Sequence, residues 1–361
     1  MLKKENKYVQ VAERCLELNI PFALYMFPDD ESLHFVASQK VGNISVKDFC
    51  EKSPAGTFAI SQFIPSDTVE TIVPDLTPEE IFELNIPVYE SGNENFPVET
   101  TFDEYSQSAT TVITRLKQSG GKVVLSRIIV AEGENPVSVA ISYFNSLPST
   151  FRSIFYTPSK GIWLGATPEI LATYSVLDKK LHTMSLAGTR PYGTSGEWDA
   201  KNIEEHNFVT DFIRNVLTDK CAKIKISAPY SLRYDSVEHI CETIEAYDVT
   251  DFASVLTTIS PTPAVCGTPR DFALDAIRQA EAHPRECYGG WLGVKNGGGI
   301  RTFVNLRCAK IYPAEKKDVY IYKVYAGGGF TAGSVIENEW SEAGQKASSL
   351  LKFLKTSETD G

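Results

Sequence analysis

Lys122 opens the segment KVVLSRIIVAE, whose following residues are nearly all apolar. A lysine so placed is either an edge residue reaching back to water or a desolvated amine able to act as a base. Glu169, in GATPEIL, follows Pro168 between apolar neighbours. It is either a solvated carboxylate at the opening of a strand or a buried group that needs a partner. In KNIEEHNFVTDFIRNVL, residues Val209, Phe212, Ile213, Val216 and Leu217 mark the buried stripe of a helix, and Glu205 lies one turn before Val209 on it. An inward carboxylate is steadied by the helix dipole, worth about 0.3–1 kcal/mol, or it ligates a metal.

Farther along, ENEWSEAGQKASSLLKFL spaces Glu342 and Lys346 as i and i+4, with Glu339 one turn earlier on the same side. That pattern makes a solvated ion pair on a helix or part of a site. Ahead of it, YAGGGFTAGS follows the strand-like DVYIYKVY, and its glycines, Gly327 to Gly329, either form a flexible turn or open backbone amides to an anion such as a carboxylate. In TFVNLRCAKI, Arg307 alternates with Leu306 and Cys308, so it is expected on a strand face shared with Phe303 and Asn305. There it is a fork for a carboxylate or one half of a structural salt bridge.

The elements that must hold these residues are legible in outline. The spacing of Val9, Ala12, Cys15 and Leu16 predicts a first helix, and Phe102 to Lys117 a further one. The Lys122 segment reads as a strand apolar on both faces. FRSIFYTPSKGIWLGA, ILATYSVLDKKLHTMSLAG and GGWLGVKNGGGIRTFVNLRCAKIY each read as β runs joined by a short turn, the last at Asn296-Gly297. Short turns mean antiparallel neighbours. Helices are predicted at about 135 to 146, 197 to 219, 269 to 282 and 336 to 356. The class is therefore α+β, with large antiparallel sheets and helices packed outside. No GxGxxG or GxxxxGK opens a helix after a strand, which disfavours a doubly wound nucleotide-binding fold. Pro65 to Pro97, rich in Pro and acidic residues, reads as a surface excursion rather than a domain break. One domain is expected over 1–361, with a variable part at 1–100 and the chemistry in 101–356.

The 361 residues are 42% hydrophobic and 22% charged, which excludes a disordered or fibrous chain. A formal net charge of -11 opposes broad contact with nucleic acid. The start, MLKKENKYVQVAERCLELNI, has no signal-peptide core, and the apolar stretch from Ile20 to Phe27 is too short to span a bilayer. Seven scattered cysteines without a CxxC pair suggest neither a disulfide framework nor a zinc site, and fit a reducing cytoplasm.

Taken in order, KVVLSR, GATPEIL, LAGTRP, EEHNFV, the His239 region, PTPAVCG with the following RECYGG, NLRCAK, AGGG and EWSE with Lys346 resemble the chorismate-utilising enzymes. These are the isochorismate and salicylate synthases and the synthase components for anthranilate and aminodeoxychorismate. The blocks cover residues 120 to 350. The resemblance implies face-to-face sheets, chorismate as substrate and a bound Mg2+. It implies that Lys122 activates a water as general base and that Glu169 protonates the departing C4 hydroxyl. It makes Glu205 and Glu342 metal ligands, with Glu339 able to fill the shell, because Asn202 stands where relatives often carry a second acid. Arg307, Lys346 and the amides of Gly327 and Gly329 match the cradle for the enolpyruvyl carboxylate, and Gly188, His239 and Thr262 match further substrate-pocket positions. Ala187, where one type of aminodeoxychorismate synthase carries a lysine, and Lys122, where anthranilate synthases commonly carry glutamine, favour water as nucleophile. The expected activity is thus isochorismate synthase, for menaquinone or siderophore synthesis, with salicylate synthase and an ammonia-dependent anthranilate synthase component as alternatives. A monomer without an amidotransferase partner is expected.

Overall fold

The computed structural model describes residues 2–84 and 96–356. Two antiparallel sheets dominate it, of nine and ten strands among the described residues. The first runs in space through Gly267–Thr268, Lys122–Gly133, Tyr320–Phe330, Cys308–Pro313, Gly161–Thr167, Phe151–Thr157, Phe22–Met26 and His34–Ala37. The second runs through Lys223–Ile226, Val237–Tyr247, Lys180–Pro191, Ile170–Ser175, Gly299–Val304, Trp291–Asn296, Phe58–Ile60, Thr68–Ile72 and Gly42–Ser45. The three hairpins expected from short turns are all present.

The sheets meet face to face over an aromatic layer. Tyr25, Phe151, Phe155, Trp163 and Tyr325 of the first pack on Phe58, Leu292 and Phe303 of the second. Phe151 and Phe303 stack with ring centroids 4.1 Å apart. Helices cover the outer faces. Leu2–Leu18, Pro136–Ser146 and Ile336–Leu351 lie on the first sheet, and Val46–Lys52, Ala200–Thr218 and Phe252–Ile259 on the second. Phe102–Ser119 and Arg270–Ala280 roof the start of the Lys122 strand. A Thr101/Glu104 capping box starts the first of these two helices, satisfying amides that the helix itself leaves unpaired. No helix among the described residues is long and apolar enough to cross a membrane.

Several expectations need correcting. The Pro65–Pro97 stretch is not all excursion: Thr68–Ile72 is a sheet strand and Pro78–Glu83 a capped helix, while residues 85–95 lie outside the described part. The helix predicted to reach 356 ends at Leu351, and Lys355–Thr356 instead pairs with the Lys122 strand. The helix predicted from 197 starts at Ala200, because Asp199 is its N-cap. Residues before position 100 contribute strands to both sheets.

Candidate active site

Two elements bring Lys122 and Glu205 together. Lys122 is the first residue of its strand, between Thr268 on one side and the glycine-bearing strand Tyr320–Phe330 on the other, and it is 0% exposed. Glu205 continues the buried stripe of Val209, Ile213 and Leu217 on Ala200–Thr218, as the spacing predicts. Lys122 Nζ lies 2.8 Å from Glu205 Oε1, an ion pair off the line of a hydrogen bond. Burial opposes ionisation of Glu205, but the charges of Lys122, Lys201 and Lys346 outweigh it and hold the carboxyl below its usual range. Arg285, in the RECYGG block, fixes the strand behind this pair. It donates to the carbonyls of Val124 at 2.6 Å and Val265 at 2.7 Å while gripping Glu281.

Glu169 follows Pro168 between the strands Gly161–Thr167 and Ile170–Ser175 and is 3% exposed. The Thr262 hydroxyl donates to its Oε1 at 3.4 Å. Burial pushes the carboxyl up to about 7, against the opposing hydrogen bond from Thr262 and the charges of Lys122, Arg307 and Lys346. A carboxyl poised there is divided between its acid and carboxylate forms near neutral pH, so it can carry a proton and release it, the property required of a general acid.

Arg307 departs from its predicted setting. It is not on a strand face but between Gly299–Val304 and Cys308–Pro313, with φ of 50°, and the left-handed residue breaks the alternation that was to place it beside Phe303 and Asn305. Those two are buried elsewhere, Asn305 donating to the Cys287 carbonyl. The turn aims the guanidinium at the pocket, where it donates to the Lys346 carbonyl at 2.8 Å and lies 3.1 Å from His239 Nε2. Arginine can only donate, so His239 Nε2 accepts and Nδ1 carries the proton that goes to the Gly188 carbonyl, 3.0 Å away. Burial and the charges of Arg307 and Lys346 push His239 well below its ordinary range, consistent with this neutral tautomer. Gly188 sits at a bulge with φ of 73°, which a side chain would strain.

The glycines are not a flexible turn; they lie inside the strand Tyr320–Phe330, opposite Val124 to Ser126. Lys346 Nζ donates to the Gly327 carbonyl at 3.2 Å, so that edge of Gly327 faces away from the Lys122 strand. The N–H and C=O of one strand residue share an edge, and Gly329, two residues on, shares it too. The neighbouring strand Cys308–Pro313 pairs only as far as Val324, which leaves this edge open beside the glycines. Both amides are thereby available to an anion. The lack of side chains is itself required: a Cβ on Gly329 would stand 2.5 Å from Glu205 Oε1 and 2.9 Å from Lys122 Cε.

Glu169, Glu205, Gly188, His239, Arg307, Gly327 and Lys346 line one pocket, of about 620 Å³ counted out to its open mouth. Lys122 and Thr262 stand one contact behind, on Glu205 and Glu169. Glu342 pairs with Lys346 at 2.6 Å. Glu339, 1% exposed, is held by Lys201 and lies against Gly328, whose Cβ direction is opposite to that of Gly329; it therefore stands across the glycine strand from Glu205. Burial, reinforced by the charge of Glu342 and offset by Lys201, pushes Glu339 above the usual carboxylate range.

Residues 74–352 match the family described as chorismate binding enzyme. The chain belongs to that family. Within it, the chain is 30% identical over 276 residues to isochorismate synthase MenF of Escherichia coli, covering 73% of this chain and 62% of that protein. It is 30% identical over 257 residues to isochorismate synthase DhbC of Bacillus subtilis, covering 64% of this chain and 63% of the other. The chain thus spans less than two thirds of these relatives. A solved structure of the Escherichia coli menaquinone-specific isochorismate synthase superposes with a TM-score of 0.76 at 21% identity, covering 96% of this chain and 91% of that one, and establishes the shared fold.

For a chorismate binding enzyme the carboxylate set raises the question of a divalent cation. Hard oxygen donors suit Mg2+, and Glu339 Oε2 is buried with no hydrogen-bond partner among the described residues. In this conformation, however, each acid is matched to a lysine: Glu205 to Lys122, Glu339 to Lys201 and Glu342 to Lys346. Among the described residues no three acidic, His or Cys side chains converge as a ready metal cage. The donors fit the ion in kind, and the lysines hold them apart. Sequence reasoning missed Lys201, and it missed Tyr288, which lines the pocket and places its hydroxyl 2.7 Å from the Cβ direction of Gly327. Tyr288 lies in the RECYGG block, which was the available signal; nothing local distinguishes Lys201.

Proposed function

We propose that this chain is an isochorismate synthase, converting chorismate to isochorismate with water as nucleophile. The observation that carries this reading is a buried carboxyl in the pocket wall pushed up to about 7, with a fully buried lysine one contact behind the same wall on Glu205. Lys122, in its neutral form once its proton has passed to solvent, removes a proton from water as the water oxygen bonds to C2, the ring double bond shifts, the C4–O bond breaks, and Glu169 gives its proton to the leaving hydroxide. One water is added and one lost, so the product is an isomer, and proton exchange with solvent resets both groups. Arg307, Lys346 and the amides of Gly327 and Gly329 hold the enolpyruvyl carboxylate; His239, locked as an acceptor toward Arg307, fixes the guanidinium plane. Gly188 lets the backbone pass close to the pocket wall, and Thr262 orients Glu169. Glu205 and Glu342, with Glu339 behind them, would hold Mg2+, which when bound offsets the charge of the ring carboxylate.

Ala187 on the pocket wall presents no amine to compete with water. The relatives named above are isochorismate synthases, which supports this product over salicylate. The test is incubation of purified protein with chorismate and Mg2+ without ammonia, product analysis by chromatography and mass, and the same assay on Lys122→Ala and Glu169→Ala. An isomeric product lost in both variants is expected. Salicylate plus pyruvate, or turnover that survives either substitution, would overturn the assignment of product or of role respectively.

A further inference from the structure

Lys201 occupies an unfavourable place. It is the second residue of Ala200–Thr218, in a first turn with no acidic residue, where the helix dipole disfavours a cation. Its side chain is also 68% removed from solvent, since it is 32% exposed. Both costs are met by one contact, to Glu339, and by the nearby charges of Glu205 and Glu342. The adjacent Asn202 cannot share that task. Its Oδ1 accepts from the Thr189 amide at 3.0 Å and its Nδ2 donates to Asp199 Oδ2 at 2.8 Å. An acid at 202 would face Asp199 with like charge and could not donate to it.

We propose that Lys201 is the resident counter-ion of Glu339, within reach of the charges of Glu205 and Glu342, and that it sets the affinity of the chain for its divalent cation. This rests on the isochorismate synthase reading. With no cation bound, Lys201 keeps the buried Glu339 paired. When Mg2+ enters, Lys201 opposes it, because its ammonium lies within electrostatic reach of every carboxylate that would bind the ion. Lys201 is therefore a positioning residue that trades cation affinity for a paired Glu339 in the absence of the cation.

The test is Mg2+ binding to the substrate-free protein by titration calorimetry, with thermal unfolding in the presence and absence of Mg2+, on the parent chain, Lys201→Met and Lys201→Arg. Removing the cation that contacts Glu339 is expected to tighten Mg2+ binding about tenfold. The arginine variant should bind as the parent does. Lys201→Met should also unfold at a lower temperature without Mg2+ and recover with it, since the ion then supplies the missing charge. Folded Lys201→Met that binds Mg2+ no more tightly than the parent overturns the proposal, as does a chain that binds no Mg2+ in any variant. Should Lys201→Met fail to fold, Lys201→Met combined with Glu339→Gln removes both charges, and it should bind Mg2+ about tenfold more tightly than Glu339→Gln alone; equal affinity overturns the proposal. Turnover of chorismate by the same parent preparation is read separately, so loss of the functional reading and loss of this inference give different results.

Discussion

Replacing Glu169 by glutamine keeps the shape of the side chain and removes its charge. In the native chain burial has moved this carboxyl from 4.5 to about 7. Between those values the folded protein binds a proton that the unfolded chain does not, so stability falls as pH rises through the interval and levels off above about 7. At about 1.4 kcal/mol per unit, the ionised carboxylate costs about 3 kcal/mol of folding free energy above neutrality. Glutamine does not titrate, and its amide can still accept from Thr262. The stability of Glu169→Gln relative to the parent should therefore grow by about 3 kcal/mol from pH 4 to pH 8, while turnover falls roughly 10²–10⁴-fold. Equilibrium denaturant unfolding of both proteins across that range isolates the term, since every other titrating group is common to the pair. A stability difference that stays flat with pH would refute the claim that Glu169 is desolvated, and with it the reason for assigning it the acid role.

Lys122→Met leaves Glu205 buried without its closest cation and should destabilise the metal-free fold by about 3–5 kcal/mol, read by denaturant unfolding. An unchanged midpoint would mean that the pair is not formed in solution. Gly329→Ala forces Glu205 and Lys122 apart and should cost about 1–3 kcal/mol with loss of turnover, whereas Gly298→Ala, with open space around its Cβ, should stay within about 0.5 kcal/mol. Equal effects at the two glycines would contradict the close packing at the strand. Arg307→Lys loses the fork that bridges His239 and the Lys346 carbonyl, and the KM for chorismate should rise roughly tenfold or more at 1.5–3 kcal/mol per charged hydrogen bond. An unchanged KM would remove Arg307 from the carboxylate cradle. The turnover profile should fall on the alkaline side as pH passes about 7, where Glu169 loses its proton; a profile flat through that region would count against the assignment.

Where local pattern controls conformation, the residues were readable. The Lys122 strand was apolar on both faces because it lies between a helical roof and the facing sheet, and the buried stripe on Ala200–Thr218 located Glu205 one turn early. Asn296-Gly297 announced its hairpin. Where contacts between distant segments decide, the reading failed or was silent. Arg307 was misplaced because a single left-handed residue reverses the face on which a side chain emerges. The glycines passed for a loop because their absent side chains answer to Glu205, Lys122 and Tyr288, which are remote in sequence. The strand Val237–Tyr247, with three strand partners, carried no turn signal that singled it out, and Phe252–Ile259, at eight residues, was too short to show a period. Lys201 took its meaning from Glu339, 138 positions away. The chemical roles themselves came from the resemblance of ordered blocks, since each residue alone admitted a structural reading.

The pairing of Phe58–Ile60 with Leu292–Val294 has a kinetic consequence. During synthesis an apolar strand leaves the ribosome more than two hundred residues before its partner, and the second sheet cannot close until that partner arrives. Such long-range closure slows folding and prolongs the exposure of a strand edge on which other nascent chains can pair. The same holds for the candidate pocket, whose first lining residue is Val124 and whose last is Lys346. A chain released early is therefore expected to be sticky before it is inactive. Its yield in a cell should respond to chaperone supply and to growth temperature more steeply than the stability of the finished fold alone would require.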